Sequence, residues 1–423
     1  MLRRTLHDWL QWQQRVHVRS IDLGLERVGA VARRLQLDHP RCLVITVAGT
    51  NGKGSTVALL GALARAAGWR VGSFTSPHLL RYNERICIDG AEVSDDQLIE
   101  AFERVEAARG STSLTYFEYS TLAALELFAR AELDLMLLEV GLGGRLDAVN
   151  LIDADVAVIC SIGMDHRDWL GDSLQDIGRE KAGILRAGRP VILGSSQLPR
   201  SVLQACAALA CPRFQIGTTY RVIRKAVDRW DYRGQRWQFG DLPAPALAGD
   251  VQYLNAANAL AALEALGARA PPLSRANVVL ALQSVRLAGR FEVVGSRPEW
   301  ILDVAHNEPA AHQLAASLQG RPCAGKSWTV TGILADKDVA AIGAALAGQF
   351  AGWILCGTEH EPRGTSASVL RERLPPECQD VAQCASVTAG CAAAERIAAP
   401  EDRIVVFGSF HTVGPARAWL GLY

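Results

Sequence analysis

The chain has 423 residues, 49% hydrophobic and 21% charged, an ordinary globular composition that is long for one core and fits two domains. Lys plus Arg and Asp plus Glu number 44 each, so no basic excess points to nucleic acid, although a small anionic substrate needs only a local basic site. The stretch Met1 to Leu10 lacks the apolar core and cleavage site of a signal peptide, no run approaches a membrane span, and ten scattered cysteines without a CxxC pair read as reduced thiols, so a cytoplasmic protein with no membrane association is expected.

From about residue 42 strands and helices alternate. Cys42 to Ala48 is a short β-branched run, as in a buried parallel strand, and Ser55 to Ala67 follows with helical spacing. Further helices are expected over 94–108, 117–131 and 173–184, with buried strands at 135–140, 155–161 and 190–194. Residues 214–249 change character. Trp230, Tyr232, Trp237 and Phe239 interleave with polar residues and read as appended antiparallel strands, before a helix over 255–266. A second alternating series begins near Trp300, with strands at 300–304, 327–333, 352–357 and 403–408 and helices at 310–318, 339–348, 367–374 and 389–398. The expected architecture is α/β throughout: an N-terminal P-loop domain (1–287) with a mostly parallel sheet and a small antiparallel one, then a smaller Rossmann-like domain (288–423). The second domain has no GxGxxG signature.

Val44-Ile45-Thr46-Val47-Ala48 runs directly into Gly49-Thr50-Asn51-Gly52-Lys53-Gly54-Ser55 and then a helix, which is the setting a nucleotide-phosphate loop needs. Glycines let backbone N–H groups turn inward on phosphates, the helix N-terminus favours negative charge, and Lys53 can reach the β- and γ-phosphates. The match to GxxxxGK[ST] is irregular: Val47 stands where the first glycine belongs, and Gly54 displaces the hydroxyl to Ser55. Candidate ligand groups follow other strand ends, at Ser76 and His78, at Glu139, at His166, and at Asp303 and His306. A carboxylate ending a buried strand needs a counter-charge. For Glu139 that is Mg²⁺ bound with ATP or an arginine such as Arg145. Lys181 in REKAG reads, from composition alone, as a solvated helix lysine.

Taken in order, several segments resemble the bacterial dihydrofolate synthase/folylpolyglutamate synthase type of Mur ligase over essentially the whole chain. They are Ile21 to Val28, the GTNGKGS loop, TSPHL at 75–79, LTYFE at 114–118, EVGLGGRLDAVN at 139–150, DHRDWLG at 165–171, REKAGI at 179–184, GRF at 289–291, DVAHN at 303–307 and FGSFHTV at 407–413. The resemblance implies an ATP-dependent ligase that adds L-glutamate to 7,8-dihydropteroate and to folates through an acyl phosphate. It implies that Gly49 to Ser55, Asn255, Arg290 and Asp303 contact ATP, with Arg290 and Asp303 reaching in from the linker and second domain to help close the site. Ser76, Glu139 and His166 are implied to hold two Mg²⁺ ions, together with a carbamylated Lys181. Asp22 and Leu23, Thr115, Tyr116, Phe117 and Glu118, and Leu146, Asp147 and Ala148 match dihydropteroate-binding segments, with Phe117 stacking on the pterin and Asp147 accepting its ring N–H groups. His306 is implied to position the acyl phosphate, beside Lys53, His166 and Lys181. A monomer acting on small molecules is expected.

There are two departures. Glu308 separates Asn307 from Pro309, which shifts the expected start of the next helix one residue later, and Arg167 sets an extra cation beside His166. A monofunctional folylpolyglutamate synthase is the nearest rival. A Mur ligase for UDP-linked precursors would carry a further N-terminal domain, and a nucleotide switch would not need Glu139, His166 and Lys181 together.

Overall fold

The computed structural model describes residues 4–226, 228–270, 273–361 and 363–422, so the first three residues of the N-terminal stretch lie outside the described residues. It divides into two compact units. The first runs to Gly163 and includes Asp168–Pro245 and Tyr253–Val285; the second is Arg286–Tyr423 with two short stretches, Met164–Arg167 and Ala246–Gln252.

The first unit holds an eight-stranded sheet of β1 (Leu43–Ala48), β2 (Val71–Phe74), β3 (Ile86–Ile88), β4 (Ala91–Glu92), β5 (Leu135–Glu139), β6 (Val156–Ile159), β7 (Val191–Leu193) and β8 (Arg213–Gln215). Its order is β4-β3-β2-β5-β1-β6-β7-β8. The six strands from β2 to β8 are mutually parallel, and β3 and β4 add an antiparallel edge. Val44 to Ala48 and Leu135 to Glu139 are buried along their whole length, which is why these runs are uninterrupted by polar alternation. Val47 pairs with Glu139 and Ala48 with Ile159. The parallel strands therefore end level, and the loops that follow them emerge side by side.

Helices occupy the expected intervals with ends set by capping. Ser94 and Thr115 open Asp95–Arg109 and Tyr116–Arg130 with capping boxes, each hydroxyl accepting from the N–H three residues on. The helices Leu6–Val16 and Glu26–Arg34 were not anticipated; they are short and polar, and Trp9, Val28 and Val31 anchor them in the core.

The antiparallel segment is a three-stranded sheet of β9 (Arg221–Ala226), β10 (Arg229–Arg233) and β11 (Gln238–Pro243), whereas Phe214 belongs to the edge of the large sheet. Glu264, 2% exposed on the helix Val251–Ala265, ties this sheet down. It accepts from Tyr232 Oη at 2.8 Å, from Trp237 N at 2.9 Å, and from Arg236 N.

The second unit is built on β12 (Glu292–Val294), β13 (Glu299–Asp303), β14 (Ser327–Thr331), β15 (Gly352–Cys356), β16 (Asp380–Cys384) and β17 (Arg403–Phe407), in the order β12-β13-β17-β14-β15-β16. Only β12 is antiparallel to its neighbour. The strand β16 went unforeseen because it is a half-exposed edge without an apolar run. One expectation is corrected. Glu308 does not delay the following helix: Glu308–Gln319 begins at Glu308, with Asn307 as N-cap accepting from Ala310 N and Pro309 in the first turn.

Removing the Glu264 carboxylate strands three donors, whereas Tyr232→Phe leaves two of them satisfied. Urea unfolding should show Glu264→Ala losing roughly 3 kcal/mol and Tyr232→Phe about 1 kcal/mol. Equal losses would mean that Glu264 does not bind the hairpin.

Candidate active site

The Gly49–Ser55 loop leaves β1 and enters the helix Lys53–Ala66, whose first turn carries no acidic residue to offset its positive end. Gly52 is the N-cap in the left-handed region at φ 88°, and a Cβ there would come 2.8 Å from Asn255 Oδ1, so the loop and Asn255 are close neighbours. The loop is strapped to the segment after β6. Thr50 N donates to Ser161 O at 2.8 Å, Asn51 N to Ser161 Oγ at 3.1 Å, and Ser161 Oγ to Asn51 O at 3.0 Å. The Thr50 hydroxyl both donates to Gly163 O (3.1 Å) and accepts from Gly163 N (2.9 Å). These bonds fix the loop without using the glycine N–H groups.

Two ammonium groups meet on one carbonyl. Lys53 Nζ and Lys181 Nζ each donate to Gly49 O at 3.1 Å. Lys181 is 5% exposed, so it is no solvated helix lysine. It ends the helix Leu174–Lys181, and the loop after β5 packs on that end: a Cβ on Gly144 would lie 2.8 Å from Glu180 O and 3.0 Å from Lys181 O. Arg145 in the same loop pairs with Glu180 at 3.0 Å, not with the Glu139 carboxylate. Glu139 itself, 5% exposed, accepts from Ser76 N at 3.4 Å, which brings two of the expected metal ligands of this unit together. Ser55 is buried within its helix. Among the described residues no cluster of three or more His, Cys, Asp or Glu is arranged to hold a metal ion. A cation here would rely on few protein ligands.

The acceptor-side candidates also converge in this unit. A Cβ on Gly141 would come 2.7 Å from Phe117 Cζ, so the ring lies against the backbone just beyond β5. Asp147 is buried and accepts from Leu142 N (2.8 Å) and Val149 N (3.0 Å). Burial pushes its carboxyl up to about 6, against the pull of those N–H groups and of Lys53. Leu146 and Ala148 flank it, half-buried and buried. Tyr116 is half-buried, and burial raises its phenol. Glu118 is committed to structure, accepting from Thr115 N at 2.7 Å and from Arg27 Nη2 at 3.1 Å. Arg27 also pairs with Asp22 at 2.8 Å, which fixes the segment containing Leu23. Sequence reasoning gave Arg27 no role.

In the second unit Asp303 accepts from Phe291 N and Ala305 N, both at 2.8 Å, and Arg290 lies 5.1 Å from the Phe410 ring. His306 Nδ1 bonds to Val304 O at 2.7 Å, with its Nε2 3.5 Å from Asp165 Oδ2. The Asp165 side chain, 7% exposed, also takes Lys337 Nζ at 2.6 Å and Asn307 Nδ2 at 2.9 Å. Burial pushes the Asp165 carboxyl up, but the His306 hydrogen bond and the charges of His166 and Lys337 outweigh it and hold it far below the usual range. His166 adopts a left-handed φ of 51° with Nε2 3.9 Å from Asp165, and Arg167 is exposed. The Asp165–Lys337 pair was missed, since a single Lys in a turn carries no signal.

Residues 47–193 match the Mur ligase middle domain and residues 289–410 the Mur ligase glutamate ligase domain. The dihydrofolate synthase/folylpolyglutamate synthase of Escherichia coli K12 is 42% identical over 417 residues, covering 96% of this chain and 94% of its own length. An E. coli enzyme solved in complex with DHPP and ADP superposes with a TM-score of 0.93 at 40% identity, covering 99% of this chain and 98% of that one. A bifunctional folylpolyglutamate synthase/dihydrofolate synthase solved with Mn, AMPPNP and L-glutamate gives 0.90 at 42% identity over the same shares.

The Asp147 carboxyl is raised above its ordinary 3.8, so it contributes stability at low pH that is lost as pH rises through about 6. Urea midpoints should show the stability difference between Asp147→Asn and the unaltered protein moving in the variant's favour by roughly 3 kcal/mol from pH 4 to pH 7. A difference that stays flat with pH would show an ordinary carboxyl.

Proposed function

The chain belongs to the dihydrofolate synthase/folylpolyglutamate synthase family within the Mur ligases, and we infer that it joins L-glutamate to dihydropteroate and to folates in an ATP-dependent ligation. The observation that carries this reading is the pair of lysines on Gly49 O beside a buried carboxylate, Glu139, at the end of a parallel sheet. Such a site attracts phosphate and offers an oxygen ligand to a divalent cation.

A carboxylate and an amine do not condense at neutral pH, because the carboxylate is a poor electrophile. ATP is the co-substrate that activates it. The acceptor carboxylate oxygen attacks the γ-phosphorus and ADP leaves; the glutamate amine then attacks the carbonyl carbon, phosphate leaves, and a proton is released. The loop N–H groups of Gly49 to Ser55 hold the phosphates, and Lys53 neutralises charge as the phosphoryl group transfers. Asn255, Arg290 and Asp303 hold the rest of the nucleotide. Phe117 stacks on the pterin, Asp147 accepts its ring N–H groups, and Asp22, Leu23, Thr115, Tyr116, Leu146 and Ala148 wall the pocket, while Glu118 keeps the Tyr116–Arg130 helix start in position. His306 orients the activated carbonyl.

Ser76, Glu139 and His166 are the residues that would hold Mg²⁺, as two ions; bound metal would screen phosphate charge and polarise the γ-phosphoryl group. The residues fit a cation that keeps waters and phosphate oxygens as its main ligands, since few protein carboxylates are supplied. Lys181 suits carbamylation. Two ammonium ions sharing one carbonyl, one of them buried, repel each other. Addition of CO₂ to the neutral amine, with loss of one proton, turns that cation into an anionic oxygen ligand. We read the enzyme as a cytoplasmic monomer acting on small molecules, with neither nucleic acid nor membrane as partner. Its even charge supports the first exclusion.

ADP release should depend on glutamate with both dihydropteroate and tetrahydrofolate, and product mass should show one or more added glutamates. ADP release with tetrahydrofolate alone would indicate a monofunctional enzyme. Lys181→Ala should lose at least about a hundredfold in kcat and recover part of it with added short carboxylates, which replace the carbamate oxygens. Full activity without an additive would sink the carbamate.

A further inference from the structure

Arg85 closes the single turn Tyr82–Arg85 and leads into β3. Its carbonyl accepts from Thr75 N at 2.9 Å, so it sits opposite the Thr75–His78 stretch that follows β2. The residue is only 8% exposed. Its Nε donates to His78 Nδ1 at 2.7 Å, so one ring nitrogen of that candidate ligand is taken up by Arg85. The guanidinium carbon lies 5.6 Å from the Tyr82 ring centroid and 5.5 Å from that of Tyr116.

Among the described residues no carboxylate pairs with Arg85, and no hydrogen bond forms to Nη1 or Nη2. Its sequence neighbour Glu84 is spent elsewhere, accepting from Leu79, Leu80 and Arg81 N–H groups. Taking a guanidinium from water is costly unless its charge and donors are met. Two tyrosine rings lie within cation–π reach of the group, and His78 serves the Nε edge. That leaves the terminal fork, whose spacing matches the two oxygens of a carboxylate. Arg85 contributes none of the sealed, unsatisfied polar atoms of the described structure, so the unpartnered fork keeps some contact with solvent. One of the rings beneath it, Tyr116, is the immediate neighbour of Phe117.

We propose that Arg85 binds a carboxylate of the acceptor substrate. The inference rests on the acceptor reading of Phe117 and Asp147. Two acceptor groups share this chemistry: the carboxylate that reacts, present on dihydropteroate and on folates, and the α-carboxylate that each attached glutamate adds and dihydropteroate lacks.

The test uses the full-length enzyme and its Arg85→Gln and Arg85→Lys variants, with dihydropteroate and monoglutamyl tetrahydrofolate as acceptors. Pteroate and its carboxamide serve as competitive inhibitors. In Arg85→Gln the acceptor KM should rise at least about tenfold with the KM for ATP little changed, and Arg85→Lys should recover part of the loss. A rise with both acceptors assigns the reacting carboxylate. A rise confined to the glutamylated acceptor assigns the α-carboxylate; in the first case the preference for pteroate over its carboxamide should also collapse. A merely structural arginine would lower the thermal midpoint and kcat while leaving acceptor KM values and that preference intact, which overturns the proposal, as does a rise in the KM for ATP alone. Failure of the unaltered enzyme to use either acceptor would instead overturn the ligase reading.

Discussion

The carbonyl of Gly49 accepts from two lysines, and the chemistry of the first unit depends on that shared oxygen. A carbonyl is a partial negative charge, too weak to neutralise two ammonium groups. The arrangement holds because both lysines are delivered by stiff elements. Lys53 stands in the first turn of a 14-residue helix, and Lys181 ends a helix buttressed by the loop after β5. On the reading proposed above, a phosphate chain or a carbamate would ease the repulsion between these two groups. Substrate binding there would remove a repulsion that folding tolerates, which would tie binding to the shape of one loop.

The second unit uses the inverse device. There a single buried anion, Asp165, collects Lys337, Asn307 and His306. Asn307 is bound twice over, since its Oδ1 caps the helix Glu308–Gln319 while its Nδ2 reaches Asp165. The helix start, the His306 ring and the Met164–Arg167 segment are therefore set by one carboxylate. A chain with equal numbers of acidic and basic residues achieves strong local fields in this way, by burial and convergence rather than by composition.

Runs of buried strand were legible because both faces of a parallel sheet are covered, and the helices expected from 94 and 117 start within a residue of those intervals, where Ser94 and Thr115 cap them. Contact geometry was not legible. Arg145 was a reasonable partner for Glu139 on sequence distance, yet the turn through Gly144 carries it to Glu180. Lys181 looked like a surface residue, because an eight-residue polar helix gives no sign of which face is covered. Glu308 looked like an interruption, but an acidic residue suits the first turn of a helix, so it was absorbed without a shift. Arg85 carried no signal at all, since its burial depends on Tyr116, 31 positions away in sequence.

The loop from Glu139 to Asn150 joins these threads. Gly141 admits the Phe117 ring, Gly144 admits the end of the Leu174–Lys181 helix, and Asp147 folds back to accept from Leu142 and Val149. A side chain at either glycine would push apart groups that must sit within a few ångströms of one another. Asp147 closes the loop on itself with a carboxyl raised by burial and restrained by Lys53, the residue that also faces Gly49 O. The loop around Asp147 and the Gly49–Ser55 loop are thus coupled by charge through Lys53 and by packing through Gly141 and Gly144. A phosphate near Lys53 would weaken its pull on Asp147 and raise that carboxyl further. On the proposed assignment of Lys53 to the nucleotide and Asp147 to the pterin, the two substrates would be linked through ordinary electrostatics within one unit, with no moving part required.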